Sequence, residues 1–387
     1  MLSIDVLIVR RSSVWIKLGY FICERDNGGK DENEKIAKEN QLYIKDLPNN
    51  LNIYAVKTVD DILFATPSVD SADFKSLIKI LSDNFTITQG PVVQYAGLTI
   101  KQNISQGYIH ICVHQQIQKL KTKYNISTDG RPPRVPINRS TLLSKAQCPE
   151  PGAKKPVFPY HSAVMATNWI VVAARYDASK AQTILAQFAS NPGQHHVNAL
   201  KEFIRYLLAT SHFGILFQRT GNAINDLRIN FWCDSDFAGN KDTLRSTSSH
   251  YGEVCGGAIA HSSSFQNCVT LNVAEAELVA ATEGAKVVTF IDQLYIEVGA
   301  FPDQHPVMIQ EDNKATTILA EHAAFHGRSK HISVQYHWIR ERVAEGALLM
   351  QHCATVNNKA DMGTKLHTPS EHERLRSMIG SFPPADV

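Results

Sequence analysis

Residues 228–234 read RINFWCD and residues 272–288 read NVAEAELVAATEGAKVV, and these two stretches decide the fold. The first alternates. Asn230, Trp232 and Asp234 fall on one face, with Ile229, Phe231 and Cys233 on the other, which predicts a strand ending in a carboxylate. The second has a helical period. Glu277, Ala280, Ala281, Gly284, Val288 and Ile291 share one stripe by i, i+3, i+4, i+7 spacing. Apart from the glutamate that stripe is small or apolar, the side a helix turns toward a sheet. Glu275 lies roughly 200° around the helix from Glu277 and is expected to face water.

Working outward, strands are expected at 228–234, 249–256 and 265–271, then a long helix at 273–298. A strand at 307–312, helices at 313–322 and about 330–345, a strand at 347–354 and a helical stretch from near 358 complete the set. Three meandering strands followed by alternating helices and strands predict an α/β layer with a mixed sheet. Asp312 closes the strand VMIQED, and Asp361 stands in the first turn of the closing helical stretch. Each acid has an ordinary alternative. Asp234 suits a strand-ending turn, Glu277 and Asp361 suit a helix dipole, and Asp312 or Asn313 suits an N-cap. The dipole explains Glu275 equally well and does not explain why Glu277 sits on the small-residue stripe.

Four carboxylates converging at element ends repel one another unless cations neutralise them. Oxygen donors without Cys or His at zinc spacing predict Mg²⁺ or Mn²⁺. Two such ions about 4 Å apart can clamp a phosphodiester, one activating water and one stabilising the leaving oxygen.

Upstream, residues 27–40 (NGGKDENEKIAKEN) predict a polar loop, and Leu51–Phe64 a β-rich run broken by Asp60 and Asp61. Phe74, Leu77, Ile78, Leu81 and Phe85 mark a helical face, and strands at 92–100 and 107–113 flank a hairpin turn. The helix HQQIQKLKTKYN follows. Proline and arginine crowd 131–139 (RPPRVPINR), a predicted linker, and Pro149–Pro159 is a second breaker cluster. The clearest later helix carries Val197, Leu200, Phe203, Ile204, Leu207 and Leu208 on one face.

The 387 residues, with 43% hydrophobic and 20% charged, exclude a disordered tail, a collagen-like repeat and a membrane bundle, and suggest two or three domains. The net charge of +2 conceals blocks. Residues 1–100 sum to −2, residues 101–225 hold 15 Lys and Arg against 4 acids (+11), and residues 226–387 sum to −7. A basic middle beside an acidic end points to nucleic-acid contact. Seven scattered cysteines without a C-x-x-C pair exclude a disulfide framework or zinc ribbon and predict reduced thiols. With neither a signal peptide nor 18 uninterrupted apolar residues, a cytoplasmic or nuclear location is expected.

CDSDFAGNKDTLRSTS (233–248), NVAEAELVA (272–280), EDNKATTIL (311–319), FHGRSKHISVQYHWIRERV (325–343) and VNNKADMGTKL (356–366) resemble the RNase H domain of copia-type retrotransposon Pol polyproteins. TVDDILFA (58–65) resembles the reverse-transcriptase palm motif YVDDIL, and QYAGLTI (94–100) the FLGI strand. PYHSAVM, ARYDASKA and ALKEFIRYLLATSHFGILF (159–217) resemble the connection region.

The resemblance implies a partial palm and thumb at 1–135, a basic connection region at 136–225 and an RNase H-like domain at 226–387. Carried across, Asp234, Glu277, Asp312 and Asp361 are the four metal-binding, catalytic carboxylates; preferring Asp234 to Asp236 rests on the resemblance alone. Asp60 and Asp61 match the palm's paired aspartates. Thr58 stands where the family has tyrosine, and Tyr176 where its connection motif has proline. The palm also needs an aspartate from an earlier strand than the chain contains, so a truncated palm that does not polymerise is expected.

The implied activity is hydrolysis of the RNA strand of RNA–DNA hybrids, recognised through 2′-hydroxyls in the wide minor groove. The basic block would follow the phosphates, and His326, Arg328, Lys330 and His331 are candidates for phosphate contact. Two rivals stand beside this expectation. One is an inactive transposon relic with residual nucleic-acid binding. The other, ranked third, is an integrase or transposase, which calls for a zinc module and a late glutamate.

Overall fold

Alternation builds the first sheet. In the computed structural model, which describes residues 3–9, 42–47, 51–58, 61–91, 93–222, 226–299, 306–321 and 330–383, five strands pair antiparallel. They are β1 (Ser3–Val9), β2 (Leu42–Leu47), β3 (Leu51–Thr58), β4 (Asp61–Thr66) and β5 (Ile87–Pro91), in the order β2-β3-β4-β1-β5. Ile53, Ala55, Ile62 and Phe64 point from β3 and β4 into a core closed by Phe74, Leu77 and Leu81 of α1 (Ala72–Asn84). Ser71 caps that helix by accepting the Phe74 N–H at 3.2 Å. Two further strands, β6 (Gln94–Tyr95) and β7 (Leu98–Asn103), pair antiparallel. The expected loop at 27–40 lies outside the described residues.

The chain divides into two compact units, Met1–Ile109 with Gln293–Pro302, and His110–Asp292 with Asp303–Val387. The second unit takes in the basic segment. After β8 (Tyr108–Cys112) come helices α2 (His114–Lys123), α3 (Tyr160–Ala174), α4 (Ser179–Ala186) and α5 (Gln194–Ala209), and strand β9 (Gly214–Gln218). On α5 the predicted face is the buried one: Val197, Leu200, Phe203, Ile204 and Leu207 are each at most 2% exposed.

The acidic segment forms the mixed sheet. β10 (Asn230–Asp236), β11 (Thr247–Val254) and β12 (Gly257–Phe265) meander antiparallel, and β13 (Val307–Glu311) and β14 (Leu348–His352) run parallel to β10. The order is β12-β11-β10-β13-β14. Between the strands lie α6 (Val273–Glu297), α7 (Lys314–Glu321) and α8 (Lys330–Ala344), and α9 (Pro369–Met378) closes the chain. Tyr176, Trp232, Tyr251, Cys353, Met362 and Leu375 share a core, so the basic segment and the mixed sheet are packed as one body.

Two expectations need correction. The third strand occupies 257–265, not 265–271. Cys255 (φ 51°) and Gly256 (φ 73°) take left-handed conformations, and Val254 pairs with Gly257, so the chain reverses in a two-residue turn directly after β11. The closing stretch is not helical from 358. Asn358 caps a short 3₁₀ helix, Lys359–Gly363, and the α-helix begins only at Pro369, where Thr368 and Glu371 form a capping box.

Fully buried charge needs a partner, and Arg175 has one. Its guanidinium makes two 2.8 Å hydrogen bonds to the Asp177 carboxylate and donates to Thr210 O at 3.0 Å and Thr210 Oγ1 at 2.7 Å. Tyr206 donates its hydroxyl to the same carboxylate at 2.5 Å. Burial opposes ionisation of Asp177, but the adjoining guanidinium wins and holds the carboxyl far below the ordinary carboxylate range. Asp177→Ala leaves that guanidinium buried and unpaired, which costs about 3–5 kcal/mol. The expected result is a large drop in the urea midpoint, whereas exposed Glu373→Ala, opposite Arg134, shifts it little.

Candidate metal centre

Register sets two carboxylates side by side. β10 runs parallel to β13 with Asn230 opposite Met308 and Trp232 opposite Gln310. Continued by two residues, that register puts Asp234 level with Asp312 at the C-terminal ends of adjacent parallel strands, where α/β sheets hold ligands. α6 then lays its small-residue stripe on this sheet. At Gly284 the approach is so close that a Cβ would overlap the Cys233 Sγ. About two turns earlier on the same stripe comes Glu277. One oxygen each from Asp234, Glu277 and Asp312 lies within 4.8 Å of the others.

Asp234 is 1% and Glu277 4% exposed, while Asp312 is half-buried. Burial raises Asp234 to about 7 against the pull of the Lys365 charge. Burial, followed by the negative charges of Asp234 and Asp312, raises Glu277 to about 9. The capping alternative for Asp312 falls to its neighbour, because Asn313 Oδ1 accepts the Ala315 N–H at 2.9 Å. Glu275 behaves as a surface residue, accepting the Leu271 N–H at 2.8 Å in an exposed bond.

Asp361 stands apart from the three. It rides on the 3₁₀ helix, and its Oδ1 is paired with Lys365 Nζ at 2.5 Å. The same ammonium lies 3.8 Å from Asp234 Oδ2. Thr364 Oγ1 donates to that Asp234 oxygen as well. The 3₁₀ helix is seated by the basic segment: the Tyr176 hydroxyl donates to Ala360 O at 3.1 Å and lies 2.8 Å from Ser249 Oγ. Gly363 permits this, since a Cβ there would overlap Ser249 Oγ and come within 2.9 Å of the Tyr176 hydroxyl.

Sequence reasoning passed over two buried neighbours of the site. Glu311 is fully buried, with Oε1 accepting the Asp312 and Asn313 N–H groups at 3.1 and 3.2 Å and Oε2 unpartnered. Burial, then the charge of Glu277, pushes its carboxyl well above the ordinary range. The signal was present, because Val307, Ile309 and Glu311 alternate onto the buried face of β13. Lys180 is the other. It donates to Thr247 Oγ1 at 2.8 Å, pairs with Asp236 at 3.6 Å, and burial lowers it to about 8. Asp236 thus faces a lysine, and it is Asp234 that joins the carboxylate group.

Oxygen donors alone, crowded in a buried place, fit a hard divalent cation. Glu277 Oε2, buried without a hydrogen-bond partner, supplies a free donor. A cleft of about 520 Å³, lined by Arg139, Lys180, Lys241, Asp361, Lys365 and His367 among others, opens beside the centre. In the basic segment Arg175 and Lys180 are buried, while Lys119, Lys121, Lys123, Arg131, Arg134 and Arg139 are exposed.

The other predicted residues lie elsewhere. Asp61 begins β4 opposite Thr58, half-buried, and Asp60 is outside the described residues. Lys330 and His331 open α8; His326 and Arg328 are outside the described residues.

The sheet order, with three meandering strands, a crossing helix and two parallel strands, makes the C-terminal part an RNase H-like fold. No protein-family model matches the chain. It is 29% identical over 343 residues to the retrovirus-related Pol polyprotein from transposon TNT 1-94 of Nicotiana tabacum, covering 88% of this chain and 25% of that protein. It is 31% identical over 317 residues to the corresponding polyprotein from transposon RE2 of Arabidopsis thaliana, covering 81% and 21%. A 128-residue stretch is 37% identical to secreted RxLR effector protein 161 of Plasmopara viticola, 33% of this chain and 87% of that protein. An RNase H1 isolated from compost aligns over 35% of this chain and 92% of its own, with 16% identity and a TM-score of 0.28. The chain is similar, over 81–88% of its length, to copia-type retrotransposon Pol polyproteins. It spans about a quarter or less of the length of the curated Pol polyproteins it matches.

Proposed function

We propose that the chain is a retrotransposon-derived RNase H that hydrolyses the RNA strand of RNA–DNA hybrids. The observation that carries the reading is the meeting of Asp234, Glu277 and Asp312, from three separate elements, within 4.8 Å of one another. Those three would hold Mg²⁺ or Mn²⁺, with Asp361 completing one coordination sphere. When bound, divalent ions supply a Lewis acid and an activated water at neutral pH. The chain's own residues do the rest. Thr364 fixes the Asp234 carboxylate by hydrogen bonding, and Tyr176 seats the turn that carries Asp361. Exposed lysines and arginines of the basic segment attract the phosphates, which makes binding steeply salt-dependent.

The division into a palm-like part (1–135), a connection region (136–225) and an RNase H-like domain (226–387) belongs to the same proposal, as does a cytoplasmic or nuclear site of action. Among the described residues no helix is long and apolar enough to cross a membrane. The test is a substrate series in Mg²⁺ with one strand labelled at a time: hybrid, single-stranded RNA, duplex RNA and duplex DNA. Cutting confined to the RNA strand of the hybrid is expected. Equal cutting of single-stranded RNA or of DNA would replace this reading with a general nuclease.

A further inference from the structure

Asp234 and Asp236 fall on the same side of β10 by alternation, two residues and about 7 Å apart along the strand. Asp234 joins Glu277 and Asp312. Asp236 is held elsewhere, by a residue of the basic segment. Lys180, second in α4, places Nζ 3.6 Å from Asp236 Oδ2 and donates to Thr247 Oγ1 at 2.8 Å, with the Phe265 ring centre 5.5 Å away. The backbone at Gly239 also closes on this carboxylate, so tightly that a Cβ there would overlap Asp236 Oδ2.

Lys180 sits where a lysine is disfavoured. It is only 7% exposed, and a cation in the first turn of a helix opposes the helix dipole. The pair is unlike Arg175 and Asp177, whose side chains are both fully enclosed. The Asp236 side chain is 30% exposed, and Lys180 and Asp236 both line the cleft beside the carboxylate group. α4 grips the surrounding chain as well. Thr183 Oγ1 donates to Ser263 O at 2.7 Å, and Gln187 Oε1, just past the helix, accepts from Asn240 Nδ2 at 2.6 Å.

Another lysine of the cleft has a different assignment. Lys365 pairs with Asp361 at 2.5 Å and lies 3.8 Å from Asp234. It lines the same cleft as Asp236 and is near enough for its charge to act on Lys180. Arg139 and Lys241 line the cleft too, but both are exposed to water. An Asp236 carboxylate deprived of Lys180 would therefore compete for Lys365, drawing it from the two acids it serves.

We infer that Lys180 is a positioning residue for the hydrolysis: it engages Asp236 so that this acid does not compete with Asp234 and Asp361 for Lys365. The inference rests on the function proposed above and adds to it a residue from outside the mixed sheet. Lys180 touches no reacting group, and its effect runs through Asp236.

The experiment measures steady-state hydrolysis of the RNA–DNA hybrid in Mg²⁺ by the full chain, for wild type, Lys180→Met, Asp236→Asn and the double variant. Lys180→Met is expected to lose about 10-fold or more in kcat with KM little changed. The double variant is expected to regain the kcat of Asp236→Asn alone, because no carboxylate is left to compete. Circular dichroism checks that each variant is folded, and Lys180→Gln replaces Lys180→Met if that variant is not. Wild-type kcat in Lys180→Met, a double variant no faster than Lys180→Met, or a loss confined to KM overturns the inference. The second result would make Lys180 a packing residue and the third a contact for nucleic acid, and all three leave the hydrolytic reading standing. No hydrolysis by wild type overturns that reading and this inference with it.

Discussion

Asp234→Asn is expected to abolish hydrolysis of the hybrid's RNA strand and, in chelator, to give a protein more stable than wild type. The loss of activity should exceed about 100-fold, because removing even a hydrogen-bond partner of a metal ligand costs 10–100-fold. Stability moves in the opposite direction. A carboxylate that is 1% exposed and surrounded by Glu277, Glu311, Asp312 and Asp361 is replaced by a neutral amide whose oxygen still accepts from Thr364. Relief of that crowding is worth about 1–2 kcal/mol. A variant that loses both activity and stability would make Asp234 a packing residue, and one that keeps its activity would remove it from the chemistry.

The second large effect joins pH and metal. Asp234 at about 7 and Glu277 at about 9 stand above their ordinary values of 3.8 and 4.5. Between those limits the folded protein binds more protons than the unfolded chain, so the free energy of unfolding falls as pH rises. The contribution is whole below about pH 4 and is lost as pH climbs through 7 and then 9. Mg²⁺ takes over the role of the protons and offsets the loss. At 100 times its Kd a ligand adds about 2.7 kcal/mol. Tm measured with Mg²⁺ and with chelator should be close at pH 5 and well apart at pH 8, and Asp234→Asn should narrow the gap. Equal Tm values at pH 8 would contradict the metal centre.

Local patterns carried the sheet and most of the site. RINFWCD and VMIQED are short alternating strands whose closing acids were readable locally, while the parallel register that brings Asp234 and Asp312 together is a long-range pairing that the pattern alone does not set. The stripe on α6 was readable because Gly284 and the alanines leave room for close packing, and Glu277 interrupts a row with no other polar member. The third strand was misplaced because a two-residue reversal at Cys255 and Gly256 depends on backbone conformation and leaves little trace in the hydrophobic pattern. Asp361 was assigned to a helix because NNKAD reads as a helix start, whereas the chain takes one 3₁₀ turn and folds back under Tyr176. Lys180 and Lys365 were hidden for another reason. A lysine reads as surface, and what places these two beside carboxylates is packing between segments far apart in the sequence. The charge blocks were legible as sums but not as positions: Arg175 and Lys180 belong to the basic segment, and the fold buries both.

The most direct test is hydrolysis of an end-labelled RNA–DNA hybrid in Mg²⁺ by the wild-type chain and by Asp312→Asn. Asp312 is half-buried and does not cap α7, so its amide variant keeps the fold while removing one of the three oxygen donors. The predicted result is cleavage of the RNA strand by wild type, none in chelator, and a loss of more than about 100-fold in the variant. Equal cleavage by both proteins, or none by either, would contradict the assignment of metal-dependent hydrolysis to these carboxylates.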